Sequence, residues 1–148
     1  AVLNYNLAVT YQNLEQTDSA ITYYKNAIRI DPFHHSSHLR LAGICANEKE
    51  LTKAMLCFNT FLILEPNSSR SLEVLGIYND MLSTNYKGNP KGIQISPPGD
   101  DDFKDIDLII NNRVALNNKY KTPSNLTFAV VKQNWALLET LSKKNGKG

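Results

Sequence analysis

All of the chain's imidazole chemistry sits in five residues, His34-His35-Ser36-Ser37-His38. His34 and His38 stand four apart, a spacing at which two helical side chains can reach one metal ion. No neighbouring cysteine or acidic residue completes a ligand set, so structural or surface histidines are expected. The densest charge run is Asp100, Asp101, Asp102, Asp105 and Asp107. A calcium loop needs alternating oxygen ligands, a glycine for its sharp turn and a closing bidentate glutamate. That order is missing, and a solvated helix start is expected instead, its carboxylates favoured by orphan amides and the positive end of the dipole. Cys45 and Cys57 fall on expected helices and are expected as buried free thiols, with a disulfide between paired helices as the alternative in an oxidising compartment. The sequence holds no nucleophile elbow, phosphate-cradling glycine loop, zincin pair or Ser–His–Asp grouping. The expectation is a non-catalytic chain with no cofactor and no metal.

The elements that position these residues are written twice. Ala1–His34 laid above His35–Ser68 puts Leu7-Ala8 over Leu41-Ala42, Tyr11 over Cys45, Ala20 over Ala54, Tyr24 over Phe58 and Pro32 over Pro66. Each copy reads as two helices. Leu3, Leu7, Tyr11 and Leu14 recur at steps of three and four, as do Ile21, Tyr24, Ala27 and Ile28 after a break at Gln16-Thr17-Asp18. The small Ala8 and Ala20 let the two helices approach closely. Pro32 and Pro66 lack the amide proton a helix needs, so Asp31-Pro32 and Glu65-Pro66 end the second helix of each copy. A further shift finds half a copy, with Leu72, Leu75, Gly76 and Tyr78 supporting a helix over about 69–83.

A period of 34 residues with these landmarks is the signature of a helical repeat, and the stretch resembles the tetratricopeptide repeat family. The resemblance covers residues 1–84, as repeats 1–34 and 35–68 and a half repeat 69–84. It departs from the family at Asn4 and His38, where a bulky aromatic is usual, at Cys45 in place of tyrosine, and at Phe61 in place of alanine. It implies an all-α fold: a right-handed superhelical array of antiparallel helix pairs, closed here by a C-terminal helical hairpin. In such arrays the first helix of each repeat lines the concave face. The positions that point inward by this resemblance are Val2, Tyr5, Asn6, Val9, Gln12 and Asn13, then Leu39, Arg40, Gly43 and Asn47, then Arg70, Glu73, Val74, Ile77 and Asp80. This mixture of apolar groups, amides and two arginines suits an extended peptide or a partner helix, with Arg40 and Arg70 able to hold a carboxylate. Family members that grip the acidic C-termini of heat-shock chaperones use Lys, Asn, Asn, Lys and Arg. The matching positions here are Tyr5, Val9, Arg40, Arg70 and Val74, so that activity is not expected.

Residues 85–99 carry three glycines and three prolines and break any helix, so they read as a linker or an ordered loop. Residues 100–148 read as a helical hairpin. Phe103, Ile106, Ile110 and Val114 make one apolar face. Phe128, Val131, Trp135, Leu138 and Leu141 make the other, after a start at Thr122-Pro123-Ser124-Asn125. A formal net charge of +2 with 20% charged residues argues against a dedicated nucleic-acid binder. No apolar run approaches the roughly 20 residues that span a bilayer. There is no basic-then-apolar leader, and Ala1 falls inside an expected helix without a cap, so a chain trimmed from a longer protein is expected. The compartment is not specified. The leading expectation is a protein–protein interaction module; the alternative is a structural spacer or self-association arm of a larger repeat protein, and a third reading is metal or small-ligand binding at the linker or the histidine cluster.

Overall fold

The computed structural model describes residues 1–83, 103–112, 116 and 128–145. Their helices are α1 Val2–Asn13, α2 Thr17–Ile30, α3 His35–Asn47, α4 Leu51–Leu64, α5 Ser69–Ser83, α6 Lys104–Asn111 and α7 Ala129–Asn145. Among the described residues there is no strand, and no helix is long and apolar enough to cross a membrane. The linker expected at 85–99, Asp100–Asp102, Val114 and the helix start at 122–125 lie outside the described residues. The chain divides into two compact units. The first is Ala1–Glu48 with Lys53–Leu72, and the second is Lys49–Thr52 with Glu73–Gly148.

The sequence repeat is also a backbone repeat. Shifted by 34 residues, Thr17–Ile30 becomes Leu51–Leu64, and the start of α3 at His35 becomes the start of α5 at Ser69. Both turns inside the pairs place a non-glycine residue in the left-handed region at the same register, Glu15 at φ 58° and Lys49 at φ 63°. At the end of α1, Gln16 N–H reaches the Tyr11 carbonyl at 2.9 Å and Glu15 N–H reaches that of Gln12 at 3.1 Å. This is the Schellman closure, whose left-handed residue is usually glycine because a Cβ there crowds the backbone at a cost of about 1–2 kcal/mol. Glu15→Gly is therefore expected to raise stability by about 0.5–1 kcal/mol, after the entropy glycine adds to the unfolded chain. Thermal unfolding followed by circular dichroism reads this as a small rise in Tm; a fall would contradict the account of the turn.

In the first unit α1 packs on α2, and α2 on α3. The three-residue turn at 14–16 makes α1 and α2 antiparallel. Ala8, Ala20, Ala27, Ala42 and Ala54 have no exposed surface, so the helices meet through small side chains around the buried rings of Tyr24, Phe58 and Phe61. Phe61, the residue in the alanine slot, is fully buried. Cys45 is buried and Cys57 partly so, both as free thiols. Burial pushes the Cys57 thiol up to about 12, with Cys45 adding to the effect, which leaves it a poor nucleophile.

α1 does not bury the whole stripe that its spacing suggests. Leu3 and Leu14 are exposed, and Ala8 is its one buried residue. Its contact with α2 runs over the Ala8 face, which leaves the flanks of the stripe open. α5, Ser69–Ser83, is likewise rotated from expectation. It buries Ser71, Val74, Tyr78 and Leu82, whereas Leu72 and Leu75 are exposed. Apolar spacing favours the leucines, but polar bonds at both ends fix the helix. The hydroxyl of Ser68 caps the Ser71 amide at 3.0 Å, and Tyr78 hydrogen-bonds Asn134.

In the second unit α6 packs on α7 and buries Ile106 and Ile110, as the spacing predicts. Asp107, expected in solvent, is buried. Its Oδ1 accepts from Thr52 N–H at 2.7 Å and from Thr52 Oγ at 2.5 Å. It thus caps the first turn of α4 from 55 residues away, satisfying an amide that has no partner inside its own helix. α7 is inverted relative to its apolar pattern. Phe128, Val131, Trp135 and Leu138 are exposed, whereas Gln133, Ala136 and Leu137 are buried. The reason is polar anchoring: Gln133 Nε2 donates to the Ile110 carbonyl at 3.1 Å, and Val130 N–H donates to Asn79 Oδ1 at 3.3 Å. Ala136, being small, then lies against the neighbouring helix.

Candidate functional site

Ser36, Arg40, Gly43 and Asn47 follow one another along α3 at steps of four, three and four, which puts them on one face. Tyr5 and Gln12, seven apart, share a face of α1. Together with Leu39 and Arg70 these residues line a cleft of about 290 Å³ within the first unit. Small-molecule sites start at about this volume, so the space suits one or two side chains of a longer ligand better than a cofactor.

Two of the lining residues, Gln12 and Tyr5, are held by the buried Tyr24. Its hydroxyl donates to Gln12 Oε1 at 2.7 Å, and its ring lies 5.9 Å from that of Tyr5. Burial raises the Tyr24 phenol above its ordinary pKa, partly offset by the positive charge of Arg40. With Gln12 Oε1 occupied, the Gln12 amide N–H groups are left as donors. The Tyr5 hydroxyl has no hydrogen-bond partner among the described residues. Arg40 is exposed and has no ion-pair partner among them. At Gly43 an added Cβ would meet nothing within 4 Å. The glycine is therefore not required by packing, and it leaves the middle of the cleft open.

Arg70, at the cleft's edge, is already engaged. Its Nε donates to Glu65 Oε1 at 3.0 Å, its Nη2 binds Glu65 Oε2, and its guanidinium lies 5.3 Å over the Phe61 ring. The Arg70 bond, with the Ser68 hydroxyl at 2.5 Å, holds the Glu65 carboxyl down at about 2 and raises the guanidinium in turn. His35 Nδ1 lies 3.0 Å from both Glu65 Oε2 and Arg70 Nη2. The two arginines expected to share one task are thus in different states.

Seven of the expected groove residues line the cleft: Tyr5, Gln12, Leu39, Arg40, Gly43, Asn47 and Arg70. Asn6, Val9 and Asn13 lie on α1 but do not line it. Glu73, Val74 and Ile77 belong to the second unit, and Val74 is buried in the stripe with Tyr78 and Leu82 rather than presented on a surface. Ser36, Glu65 and His35 were not anticipated. Glu65 was readable as a carboxylate five residues before Arg70, but the contact of Arg70 with His35 spans 35 residues.

The histidines divide their roles. His38 Nε2 donates to the Pro32 carbonyl at 2.9 Å and is buried. His34 is the N-cap residue of α3, with Nδ1 2.9 Å from Ser37 Oγ and its ring 5.1 Å from Tyr5. Burial lowers its pKa, against the attraction of Asp31. Among the described residues no three His, Cys, Asp or Glu side chains gather as metal ligands do.

Residues 1–34 match the family model for the tetratricopeptide repeat. The match supports a repeat of that type in this segment, and the all-helical described residues are consistent with a helical repeat array. Such repeats generally mediate protein–protein interaction and are typically not enzymes. Compared with curated proteins and with solved structures, the chain matches none.

Proposed function

We propose that the first unit is a non-catalytic binding module that takes a peptide or partner helix in the cleft between Tyr5, Leu39, Arg40 and Asn47. The observation that carries this reading is the exposed Arg40, without an ion-pair partner among the described residues, lining one cleft with Tyr5 and the Gln12 amide donors. These groups present hydrogen-bond donors around an apolar wall. They favour a ligand that offers a carboxylate or a run of carbonyls together with one apolar side chain. Of the two arginines, Arg40 is the anchor, because Arg70 already holds a carboxylate of its own chain.

Selection of a phage-displayed peptide library on the intact chain tests this. Enriched peptides should carry an acidic group and an apolar anchor, and should lose about tenfold or more in affinity on Arg40→Ala. Gly43→Leu, which fills the cleft where a Cβ has room, should abolish binding with helicity unchanged. Peptides that bind wild type and both folded variants equally would refute the reading.

A further inference from the structure

His35 Nδ1 has three polar neighbours: Glu65 Oε2 at 3.0 Å, Arg70 Nη2 at 3.0 Å and Ser36 Oγ at 3.2 Å. An imidazole nitrogen carries either a proton or a lone pair, so it serves an acceptor or a donor but not both. With a lone pair, Nδ1 accepts from Arg70 and faces the Glu65 oxygen unfavourably. With a proton, it donates to Glu65 and faces the Arg70 N–H groups unfavourably. The contacts of this one atom are therefore mutually exclusive, and they lie on the arginine that lines the cleft.

We propose that Glu65 is a resident rival for the cleft's second arginine, and that the proton on His35 decides which cation Glu65 Oε2 holds. When Nδ1 is an acceptor, Arg70 donates to both Glu65 and His35, and its guanidinium is withheld from a ligand. When His35 is charged, it takes Glu65 Oε2 and repels Arg70 Nη2, which turns to the cleft while Arg70 Nε stays on Oε1. The acidic partner of the cleft then meets two arginines instead of one. This rests on the binding reading above and specifies its regulation.

The groups that face His35 are few. Glu65 and Arg70 approach from the α4–α5 connection and α5, and the Phe61 ring of α4 stands 6.5 Å away, edge-on. On its own helix the His34 ring lies 6.3 Å away, and His34 in turn feels Asp31 and the N-terminal ammonium of Ala1. Tyr5 of α1 acts on Arg70.

The intact chain tests this in two ways. The first is nitrogen NMR of the His35 ring and the Arg70 guanidinium between pH 8 and pH 5.5. Nδ1 should be an acceptor at pH 8, and the Arg70 signals should shift with the midpoint of His35. Titration of His35 with Arg70 unmoved would overturn the proposal. The second is binding of a labelled peptide of five aspartates and one leucine, which carries both the acidic groups and the apolar anchor. Wild type should bind about fivefold tighter at pH 5.5 than at pH 8. His35→Gln should flatten that dependence, and Glu65→Gln should bind tightly at both values. Unchanged pH dependence in His35→Gln would overturn the proposal. If the peptide binds at neither pH, the acidic-ligand reading of the cleft fails, and the NMR arm still decides the fate of the switch.

Discussion

Tyr24→Ala should cost the first unit about 3–5 kcal/mol, the range for removing a buried aromatic ring. Tyr24 is fully buried, as large as any fully buried side chain among the described residues, and it stands where α1 and α2 meet. The fully buried alanines of the same unit have no long side chains to fill the void. The cavity would therefore stay open. Tyr24→Phe separates the ring from its hydroxyl. It keeps the packing and removes only the bond to Gln12, so about 1 kcal/mol is expected. Urea unfolding followed by circular dichroism gives both values. A Tyr24→Ala loss no larger than that of Tyr24→Phe would show that the ring does not carry the packing of this unit. Because Gln12 lines the cleft, Tyr24→Phe should also loosen the cleft without unfolding it.

Asp107→Ala should cost the second unit about 3–5 kcal/mol. One carboxylate oxygen accepts two bonds from Thr52, which is itself fully buried. Removing it strands a buried N–H and a buried O–H, each at about 1–3 kcal/mol. Asp107→Asn keeps an acceptor of nearly the same shape and gives up only the charge, so it should recover more than half of the loss. Hydrogen exchange at the Thr52 amide reads the effect locally. Exchange should accelerate strongly in Asp107→Ala and modestly in Asp107→Asn. Equal protection in all three proteins would mean that the cap contributes nothing.

Asp107 also marks where sequence reasoning stopped. A carboxylate among other carboxylates at a helix start looks solvated, because its partner is a single threonine 55 residues away. The helix pairs of residues 1–68 were readable for the opposite reason. Their landmarks recur at one period, so each copy corroborates the other, and the turn at Glu15 repeats at Lys49 even in its φ angle. α7 was legible as a helix but not in its orientation. Periodicity finds the apolar stripe through Trp135 and Leu138, but the bonds of Gln133 and Val130 turn that stripe outward. At the cleft, the lining residues on α1 and, Ser36 apart, those on α3 are positions that the repeat register points to. The occupied state of Arg70 did not, because it depends on how Glu65, Phe61 and His35 converge in space.

The most direct test of the cleft as the working surface is a pull-down from the native source. Wild type, Arg40→Ala and Gly43→Leu would be run in parallel, with helical content of each checked by circular dichroism. A partner captured by wild type and lost from both folded variants is the predicted result. Equal capture by all three would contradict the account and place the working surface elsewhere on the chain.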